Sequence, residues 1–203
     1  MVSDMLLENH VAFVTGAGSG IGRAGAIALA EHGATVIVTD LDGVRAQQVL
    51  AEIVEKGGKG DCLPLDVDDD DALTSAITDA ATRHGRLDIL HSHAGLQVPG
   101  ALEQVTAEQM DLSWRLNVRS HFLAAQAAMP IMRRQGKGSI IITSSNSGVQ
   151  YDRGMIAYAT TKHAVIAMAR QIAVDYARDN VRCNALCPGF IDTDFNAGFE
   201  NQM

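Results

Sequence analysis

The chain has 203 residues, of which 47% are hydrophobic, and it carries a formal net charge of −8 at pH 7. That length allows a single domain with a sizeable core, and the acidic balance argues against a nucleic-acid partner, because phosphate backbones are bound by clustered Lys and Arg. No apolar run reaches the roughly 18 residues of a membrane span, and the start MVSDMLLENH lacks the basic residues of a signal peptide, so we expect a cytoplasmic protein that binds small molecules.

Strand-like apolar runs alternate with helix-like stretches along the whole chain. The first half reads HVAFVTG, GRAGAIALAEHG, TVIVTD, VRAQQVLAEIVEKGG, GDCLPLDV, DALTSAITDAATRHG and LDILHSHAG. The second half predicts a long helix over about 106–135, the strand GSIIITSS, a helix over about 155–178 and the strand NVRCNALCPG. Strands rich in Val, Ile and Leu without polar alternation are buried on both faces. The sequence therefore predicts one α/β domain over 1–203, with a doubly wound parallel sheet in three αβα layers.

Some conspicuous polar residues have structural explanations. Thr106 and Gln109 form the pattern of a capping box. Four aspartates at 68–71 stand at a predicted helix start, where negative charge is favourable, and they lack the spacing and the glycine of a calcium loop. Three cysteines do not make a disulfide framework, so we expect buried thiols at Cys62, Cys183 and Cys187.

A glycine-rich loop, VTGAGSGIG from Val14 to Gly22, follows the first strand and opens the first helix. In this arrangement backbone N–H groups and the helix dipole receive a pyrophosphate, and side chains would block its approach. The useful spacing is Gly16-x-x-x-Gly20-x-Gly22, because the literal G-x-G-x-x-G match ends at Gly25, inside the helix. A plain strand-to-helix turn is the alternative, since turns are rich in glycine in general.

Acidic residues end the second and third predicted strands. Asp40 lies about 20 residues after the loop, where a carboxylate accepts both hydroxyls of an adenosine ribose and repels a 2′-phosphate. Because neither the loop nor Leu41 supplies a basic residue, we expect NAD(H) rather than NADP(H). Capping of the next helix is the alternative for Asp40, although Asp42 is as well placed to cap it. Asp66 stands where an adenine would lie, and helix capping is the alternative for it too.

Tyr158 and Lys162 in YATTK are four residues apart in a predicted helix and so share a face. Transfer of a hydride from an alcohol needs a base for the hydroxyl proton, and a tyrosine with a pKa near 10 is too protonated at neutral pH. Lowering that pKa by about three units takes roughly 4 kcal/mol, which one positive charge about 4 Å away supplies at an effective dielectric near 20. We therefore expect Lys162 to lower the pKa of Tyr158.

Two serines, Ser144 and Ser145, follow the strand GSIIIT at the carboxyl edge of the sheet, where doubly wound folds bind their ligands. Either hydroxyl can polarise a substrate carbonyl, and the spacing alone does not choose between them. A serine that only satisfies a turn is the alternative for each.

These residues together resemble the short-chain dehydrogenase/reductase family in its single-domain form. The resemblance covers nearly the whole chain and consists of TGAGSGIG, Asp40, Asp66-Val67, Asn117 in RLNV, the serine pair, YATTK and PGFIDT. It implies a Rossmann fold and a catalytic tetrad. In the tetrad, Tyr158 is the acid/base and Lys162 lowers its pKa and holds the nicotinamide ribose. Ser145, thirteen positions before the tyrosine, orients the substrate oxygen, and Asn117 supports a water relay to Lys162.

The resemblance also implies a cofactor site for NAD and no metal. The backbone of Ile191, after Pro188-Gly189, is expected to touch the nicotinamide amide. The candidate cofactor-binding residues are Gly16, Ser19, Gly20, Ile21, Asp40, Leu41, Asp66, Val67, His93, Tyr158, Lys162 and Ile191.

The chain departs from the family pattern in two places. Ser92 and His93 stand where two asparagines are usual, so a hydroxyl and an imidazole must remake their contacts. His91 and His93 share a strand face and can be interpreted as metal ligands, but no third ligand is evident nearby. Members of the family usually continue for roughly fifty residues, so we expect the last strand and part of the substrate lid to be missing from the record or disordered.

The preferred function is NAD-dependent interconversion of a secondary alcohol and a ketone. The alternatives are an NADPH-dependent 3-oxoacyl thioester reductase and a catalytically inactive nucleotide-binding regulatory protein. Expected pocket walls are Leu96, Gln97, Gln150, Tyr151 and Phe190, which fit a sugar, a small hydroxy compound or a ring alcohol. The predicted helix 155–178 is apolar on more than one side, which predicts a homodimer or homotetramer.

Overall fold

The structure is a computed structural model that describes residues 5–193 and Phe195. Its strands are β1 (Val11–Val14), β2 (Thr35–Asp40), β3 (Lys59–Pro64), β4 (Ile89–Ser92), β5 (Gly138–Thr143) and β6 (Val181–Leu186). Its α-helices are α1 (Gly20–Glu31), α2 (Gly43–Glu55), α3 (Asp70–His84), α4 (Ala107–Trp114), α5 (Ser120–Gln135) and α6 (Ile156–Asp175). A π-helical turn, Arg115–Arg119, joins α4 to α5, and 3₁₀ turns at Asn146–Gly148 and Ala177–Asp179 follow β5 and α6.

The strands form one sheet in the order β3-β2-β1-β4-β5-β6, with every neighbouring pair parallel. The order runs outward from β1 on one side and from β4 on the other. The loops that follow these two strands therefore diverge and leave a crevice at the carboxyl edge of the sheet, where such folds bind ligands. The predicted doubly wound parallel sheet is confirmed.

Two hydrophobic cores lie on opposite faces of the sheet. Ala12 and Val14 of β1 pack in the core that α1 and α2 cover. The alternate residue Phe13 packs in the core that α3, α5 and α6 cover. Because both faces of the central strands are buried, their sequences lack polar alternation, and the predicted three-layer arrangement follows.

The long predicted helix over 106–135 is interrupted. Thr106 caps α4 with the predicted capping box, and its hydroxyl accepts the Gln109 N–H at 3.2 Å. One turn later the chain widens into the π turn RLNVR before α5 begins at Ser120. The π turn adds one residue per turn locally, and it directs Asn117 into the interior, where that side chain is fully buried.

Helix α6 is covered on two sides by its own chain. It packs on β5 and β6 with one face and on α4 and the π turn with another. Apolar residues on the sides of α6, such as Val165, Ile166 and Ala169, are buried within this chain. The apolar character of α6 is thus explained without a partner subunit, and the sequence argument for an oligomer is weaker than expected.

The smaller structural predictions are also accounted for. Asp42 caps α2, and Asp69 caps α3. The three cysteines are free thiols, but only Cys183 is buried, whereas Cys62 and Cys187 are partly exposed, so the prediction of buried thiols is wrong for these two. Among the residues that the structure describes, no helix is long and apolar enough to span a membrane. The expected missing strand concerns chain beyond residue 195, outside the described residues, and stays a prediction.

Candidate active site

A large cavity opens at the carboxyl edge of the sheet, between the loops after β1 and β4. All the candidate cofactor-binding residues line it: Gly16, Ser19, Gly20, Ile21, Asp40, Leu41, Asp66, Val67, His93, Tyr158, Lys162 and Ile191. Ser145 lines the same cavity. Asn117 does not line it, although its neighbour Leu116 does. The structure therefore brings the glycine loop, the strand-end acids and the YATTK pair to one place.

The glycine loop has no room for side chains. Gly16 has a φ of +63°, and a Cβ on it would lie 2.9 Å from the Cα of Ala94. A Cβ on Gly22 would lie 2.1 Å from the carbonyl oxygen of Gly16. The loop backbone thus lines the cavity at the amino end of α1, an arrangement that fits a pyrophosphate group. Gly25 serves another purpose, because a Cβ there would meet the His91 ring at 3.1 Å.

Asp40, at the end of β2, lines the cavity and is held by two backbone N–H groups. Its carboxylate accepts the Gly18 N–H at 2.8 Å and the Asp42 N–H at 3.0 Å, while the Asp42 carboxylate caps α2. A Cβ on Gly18 would lie 2.8 Å from both the Asp40 carboxyl carbon and the Arg45 Cβ. Sequence analysis missed Arg45, which is five residues beyond Asp40 and reaches the same loop only because α2 begins at Gly43.

The third strand end supplies a turn next to the cavity. The Asp66 carboxylate accepts the Asp68 N–H at 2.9 Å, and Asp69 rather than Asp66 caps α3. Asp68 lines the cavity and pairs with Arg115 of the π turn, with 2.9 Å between Nε and a carboxylate oxygen. The capping alternative for Asp66 is thus not the one that the structure adopts.

The two serines have different environments. The Ser144 hydroxyl donates to the Lys162 carbonyl oxygen at 2.8 Å and so fastens β5 to α6. The Ser145 hydroxyl donates to the Asn146 Oδ1 at 2.9 Å and lines the cavity, where it lowers the pKa of Tyr158, as does the Gln97 side chain. Of the pair, Ser145 is therefore the serine next to the Tyr158 phenol, and Ser144 is a packing residue.

Lys162 is 3% exposed and lies beside the phenol ring. Its Nζ is 5.5 Å from the Tyr158 ring centroid and donates to the Thr143 carbonyl oxygen at 3.0 Å. Burial lowers the pKa of Lys162 to about 8. The ammonium group thus stays largely charged at neutral pH, although its environment is poor in solvent.

The predicted fall in the pKa of Tyr158 is not obtained from the chain's own residues. Burial raises the pKa of this phenol, and the charge on Asp152 raises it further, against the lowering effect of the Ser145 and Gln97 hydrogen bonds. The sequence argument considered only the nearby cation. It omitted the cost of taking a phenolate out of water, and Lys162 directs its ammonium to the Thr143 carbonyl oxygen.

Asn117 fixes the backbone of the loop after β4. Its Oδ1 accepts the Leu96 N–H at 2.8 Å, and its Nδ2 donates to the Leu96 carbonyl oxygen at 2.9 Å. The same Nδ2 reaches the Ser113 and Thr161 hydroxyls. A Cβ on Gly95 would lie 2.7 Å from the Asn117 Oδ1 and 3.4 Å from the Lys162 Nζ, so Asn117 and Lys162 flank that glycine.

The histidines at the end of β4 form a buried polar group. The Thr143 hydroxyl lies 3.0 Å from the His91 Nε2 and 3.0 Å from the His93 Nδ1. Burial lowers the pKa of His91 to about 4 and that of His93 to about 3, so both rings are neutral at pH 7. His121 is fully buried and lies 2.6 Å from the Ser92 hydroxyl through its Nδ1. The Ser92 hydroxyl and the His93 imidazole thus form hydrogen bonds with side chains of this protein, those of His121 and Thr143.

Metal binding by these histidines has no support in the described part of the chain, where no group of three or more His, Cys, Asp or Glu side chains is arranged to hold an ion. The cavity also departs from the expected substrate walls. Leu96, Gln97 and Phe190 line it, whereas Gln150 and Tyr151 are exposed residues outside the lining. Asp152 and Ser147 line it instead, and sequence analysis missed both, because an exposed-looking loop carries no periodic signal.

Comparisons with known proteins agree with this geometry. A family model described as short chain dehydrogenase matches residues 10–203. A 7alpha-hydroxysteroid dehydrogenase from Clostridium sardiniense is 38% identical over 198 residues, which cover 96% of this chain and 75% of that protein. A 3-oxoacyl-[acyl-carrier-protein] reductase from Thermotoga maritima is 35% identical over 189 residues, which cover 93% of this chain and 77% of that protein.

A solved structure from Beutenbergia cavernae is also similar. It is a candidate NAD(P)-dependent gluconate 5-dehydrogenase with NADP bound at low occupancy. It is 30% identical, with a TM-score of 0.91, and the match covers 96% of this chain and 78% of that one.

Proposed function

The chain belongs to the short-chain dehydrogenase family, and from this premise we propose that it interconverts a secondary alcohol and a ketone with NAD(H), using Tyr158 as acid and base. That it is an oxidoreductase acting on CH–OH groups follows from the family. The identity of the cofactor and the roles of single residues are the proposal. The observation that carries it is the meeting of Tyr158, Ser145 and Lys162 in the cavity that the glycine loop lines.

The residues divide the chemistry among them. When bound, the dinucleotide supplies the acceptor or donor of the hydride. The Ser145 hydroxyl and the Tyr158 hydroxyl hold the substrate oxygen, and Tyr158 takes its proton during oxidation or returns one during reduction. Lys162 provides positive charge next to the phenol and the nicotinamide ribose. Asn117 holds the loop that carries Gly95, and in the proposed relay its position beside Lys162 gives water a route to the ammonium group.

The first test removes the phenolic oxygen. Tyr158→Phe is expected to lower kcat with a secondary alcohol and NAD by at least about 10³-fold, because the proton loses its acceptor, while the Kd for NAD changes little. Absorbance of the reduced nicotinamide band measures the rate, and fluorescence titration measures binding. Tyr151→Phe is the matched control, since Tyr151 is 89% exposed and lies outside the cavity. Retention of turnover by Tyr158→Phe would reject the assignment.

We infer that the cofactor is NAD rather than NADP from the carboxylate of Asp40. It lines the adenosine end of the cavity, where it can accept ribose hydroxyls and repel a 2′-phosphate. Hydrogen bonds to a charged group contribute about 1.5–3 kcal/mol, or roughly 10- to 150-fold in affinity. Asp40→Ser should therefore lower kcat/KM for NAD by about that factor and raise it for NADP. Unchanged discrimination in Asp40→Ser would contradict this inference.

A second candidate function is reduction of a 3-oxoacyl thioester with NADPH. Two observations favour it: the similarity to the Thermotoga maritima reductase, and Arg45, whose Cβ borders Gly18 at the adenosine end and whose guanidinium can take a phosphate. If this candidate is right, Arg45→Ala weakens NADPH use and leaves NADH use unchanged. The same titration with NAD and NADP on both variants therefore separates the two functions.

We also propose that the protein is a cytoplasmic homodimer or homotetramer. Support comes from a surface groove between α5 and α6 in which apolar residues, among them Phe122, Met168 and Ile172, lie beside charged ones such as Arg133 and Asp175, with Phe122 half exposed. A groove of this composition is suited to helix packing between two copies.

A further inference from the structure

The cavity has a polar wall on the side of Tyr158 away from the glycine loop. Two loops build it: residues 96–100, which follow β4, and residues 152–155, which precede α6. The Gly100 N–H donates to the Gly154 carbonyl oxygen at 2.6 Å, and the Ile156 N–H donates back to the Gly100 carbonyl oxygen at 3.3 Å. This short parallel bridge keeps the two loops side by side. The first loop presents Gln97 to the cavity, and the second presents Asp152 and Arg153.

Other residues hold Gln97 and Asp152 in place. Gln97 directly follows Leu96, whose N–H and carbonyl oxygen are both held by Asn117. The Asp152 carboxylate accepts the Ser147 hydroxyl at 2.5 Å, and Ser147 is 4% exposed. The Ser147 N–H in turn donates to the Ser145 hydroxyl at 3.1 Å. Asp152 is therefore connected through Ser147 to the serine that faces the reactive phenol.

Gln97 and Asp152 both affect the pKa of Tyr158, the phenol against which the reacting oxygen of the substrate is proposed to lie. Both line the same cavity as Tyr158, and the pKa of that phenol is lowered by the Gln97 side chain and raised by the Asp152 charge. A substrate whose alcohol oxygen lies against Tyr158 and Ser145 thus places its adjacent carbons against an amide and a carboxylate. An apolar carbon there would desolvate the carboxylate without giving it a hydrogen-bond donor, which is costly.

We propose that Gln97 and Asp152 recognise a second hydroxyl on the carbon next to the reacting one, so that the substrates are vicinal diols and the corresponding α-hydroxy ketones. The second hydroxyl donates to the Asp152 carboxylate and hydrogen bonds with the Gln97 amide. This inference rests on the proposed alcohol oxidation. A substrate carboxylate at the same place would be repelled by the charge of Asp152 and attracted by Arg153, which also lines the cavity, so the hydroxy acid in the test below separates the two.

The test uses ring alcohols of one size. The purified enzyme is given NAD with cyclohexanol, cis- and trans-1,2-cyclohexanediol, 2-aminocyclohexanol and 2-hydroxycyclohexanecarboxylate. We expect kcat/KM for at least one diol to exceed that for cyclohexanol by about 30-fold or more, since a site built for a hydroxyl discriminates strongly against its absence. Asp152→Asn and Gln97→Leu should each reduce that preference by about tenfold or more.

Two measurements separate recognition from general damage. Asp152→Asn keeps an acceptor for Ser147 and removes a charge that raises the pKa of Tyr158, so its pH profile with cyclohexanol should move to lower pH while its diol activity falls. Damage to the fold would lower both activities together. Asp79→Asn and Gln150→Leu, matched changes at exposed residues outside the cavity, should keep the preference.

Three results would overturn the inference. Equal kcat/KM for the diols and cyclohexanol in the unaltered enzyme excludes a hydroxyl subsite. Faster turnover of the amino alcohol or of the hydroxy acid assigns the wall to a cation or to an anion bound by Arg153. A diol preference that survives in Asp152→Asn and in Gln97→Leu assigns it to other residues. If none of the five alcohols is oxidised, the proposed function fails together with this inference, which distinguishes that case from the other three.

Discussion

Tyr158 and Lys162 share a face of α6, as their spacing predicts, but their proximity does not by itself make the phenol a base. Burial raises the pKa of Tyr158 and lowers that of Lys162 to about 8, because each charged form loses its hydration. The pKa of Tyr158 is therefore not the low value expected if attraction between a cation and a phenolate were the only effect. We propose that the positive charge of an oxidised nicotinamide ring, when bound, supplies the further lowering of the Tyr158 pKa.

Lys162 should cost the protein stability in exchange for activity. Its folded pKa of about 8 is below the ordinary 10.5, so at neutral pH its charge destabilises the fold by about 3 kcal/mol. Lys162→Met removes this cost and loses the hydrogen bond to the Thr143 carbonyl oxygen, worth about 1–2 kcal/mol. We expect the variant to be inactive and about 1–2 kcal/mol more stable to urea at pH 7.

The pH dependence checks the cause of that difference. Because the folded pKa is below the unfolded one, the penalty is complete below pH 8 and disappears as the pH rises to about 10.5. The stability advantage of Lys162→Met should therefore shrink between pH 8 and 9.5. A constant or growing advantage over this interval would show that the ammonium group is not destabilising.

Single residues also show what the sequence does and does not contain. The choice between Ser144 and Ser145 needed the structure, since both follow the same strand and only one faces Tyr158. The partner of Lys162 is a backbone carbonyl oxygen, that of Thr143, and such an atom leaves no mark in a sequence. Asp152 was missed because its place beside the phenol depends on the bridge between Gly100 and Met155.

At the scale of elements, the π turn Arg115–Arg119 explains the error in the predicted helix over 106–135. Each residue of RLNVR is compatible with an α-helix, and RLNVR itself contains no Pro or Gly. The turn is stabilised by tertiary contacts: Arg115 pairs with Asp68 and Arg119 with Asp70, while Asn117 bonds inward to Leu96. Because such contacts come from the start of α3, the residues just before it and the loop after β4, periodicity in this segment cannot reveal them.

The carboxyl end of β4 should make the fold sensitive to acid. His91 and His93 titrate near 4 and 3 when folded and near 6.5 when unfolded, so the unfolded chain binds protons first as the pH falls. Each ring then reduces the free energy of unfolding by about 1.4 kcal/mol per pH unit below 6.5, and the buried His121 acts in the same direction.

His93→Asn, which restores the residue type usual in the family, should lessen the loss of stability between pH 6 and 5 by about 1.4 kcal/mol. Urea titrations of both proteins at the two pH values measure this difference. If the two proteins lose stability in parallel over this interval, His93 is not a neutral ring whose pKa the fold lowers.

The whole molecule could be predicted from its sequence more securely than its parts. Alternating runs, the glycine loop and the unalternated strands indicate a doubly wound sheet, and the order β3-β2-β1-β4-β5-β6 confirms it. The number of subunits cannot be predicted from the same patterns, because it depends on which apolar surface remains exposed after folding. The second face of α6, once covered by α4 and the π turn, gives no information about a partner.

One apolar surface that remains exposed is the groove between α5 and α6, and a substitution there tests the proposed dimer. Phe122 is 50% exposed and lines the groove with Met168 and Ile172. In a two-fold dimer built on this groove, Phe122→Glu would bury an unpaired charge in both copies, which costs several kcal/mol and should raise the dimer Kd by about 100-fold or more.

Light scattering across micromolar concentrations should then show the unaltered protein as a dimer or tetramer and the variant as a smaller species. Val54→Glu, an equal change at an exposed position on α2 in the opposite helix layer, should leave the mass unchanged. A monomeric mass for the unaltered protein would contradict the oligomer, and an unaffected mass for Phe122→Glu would move its interface away from the groove.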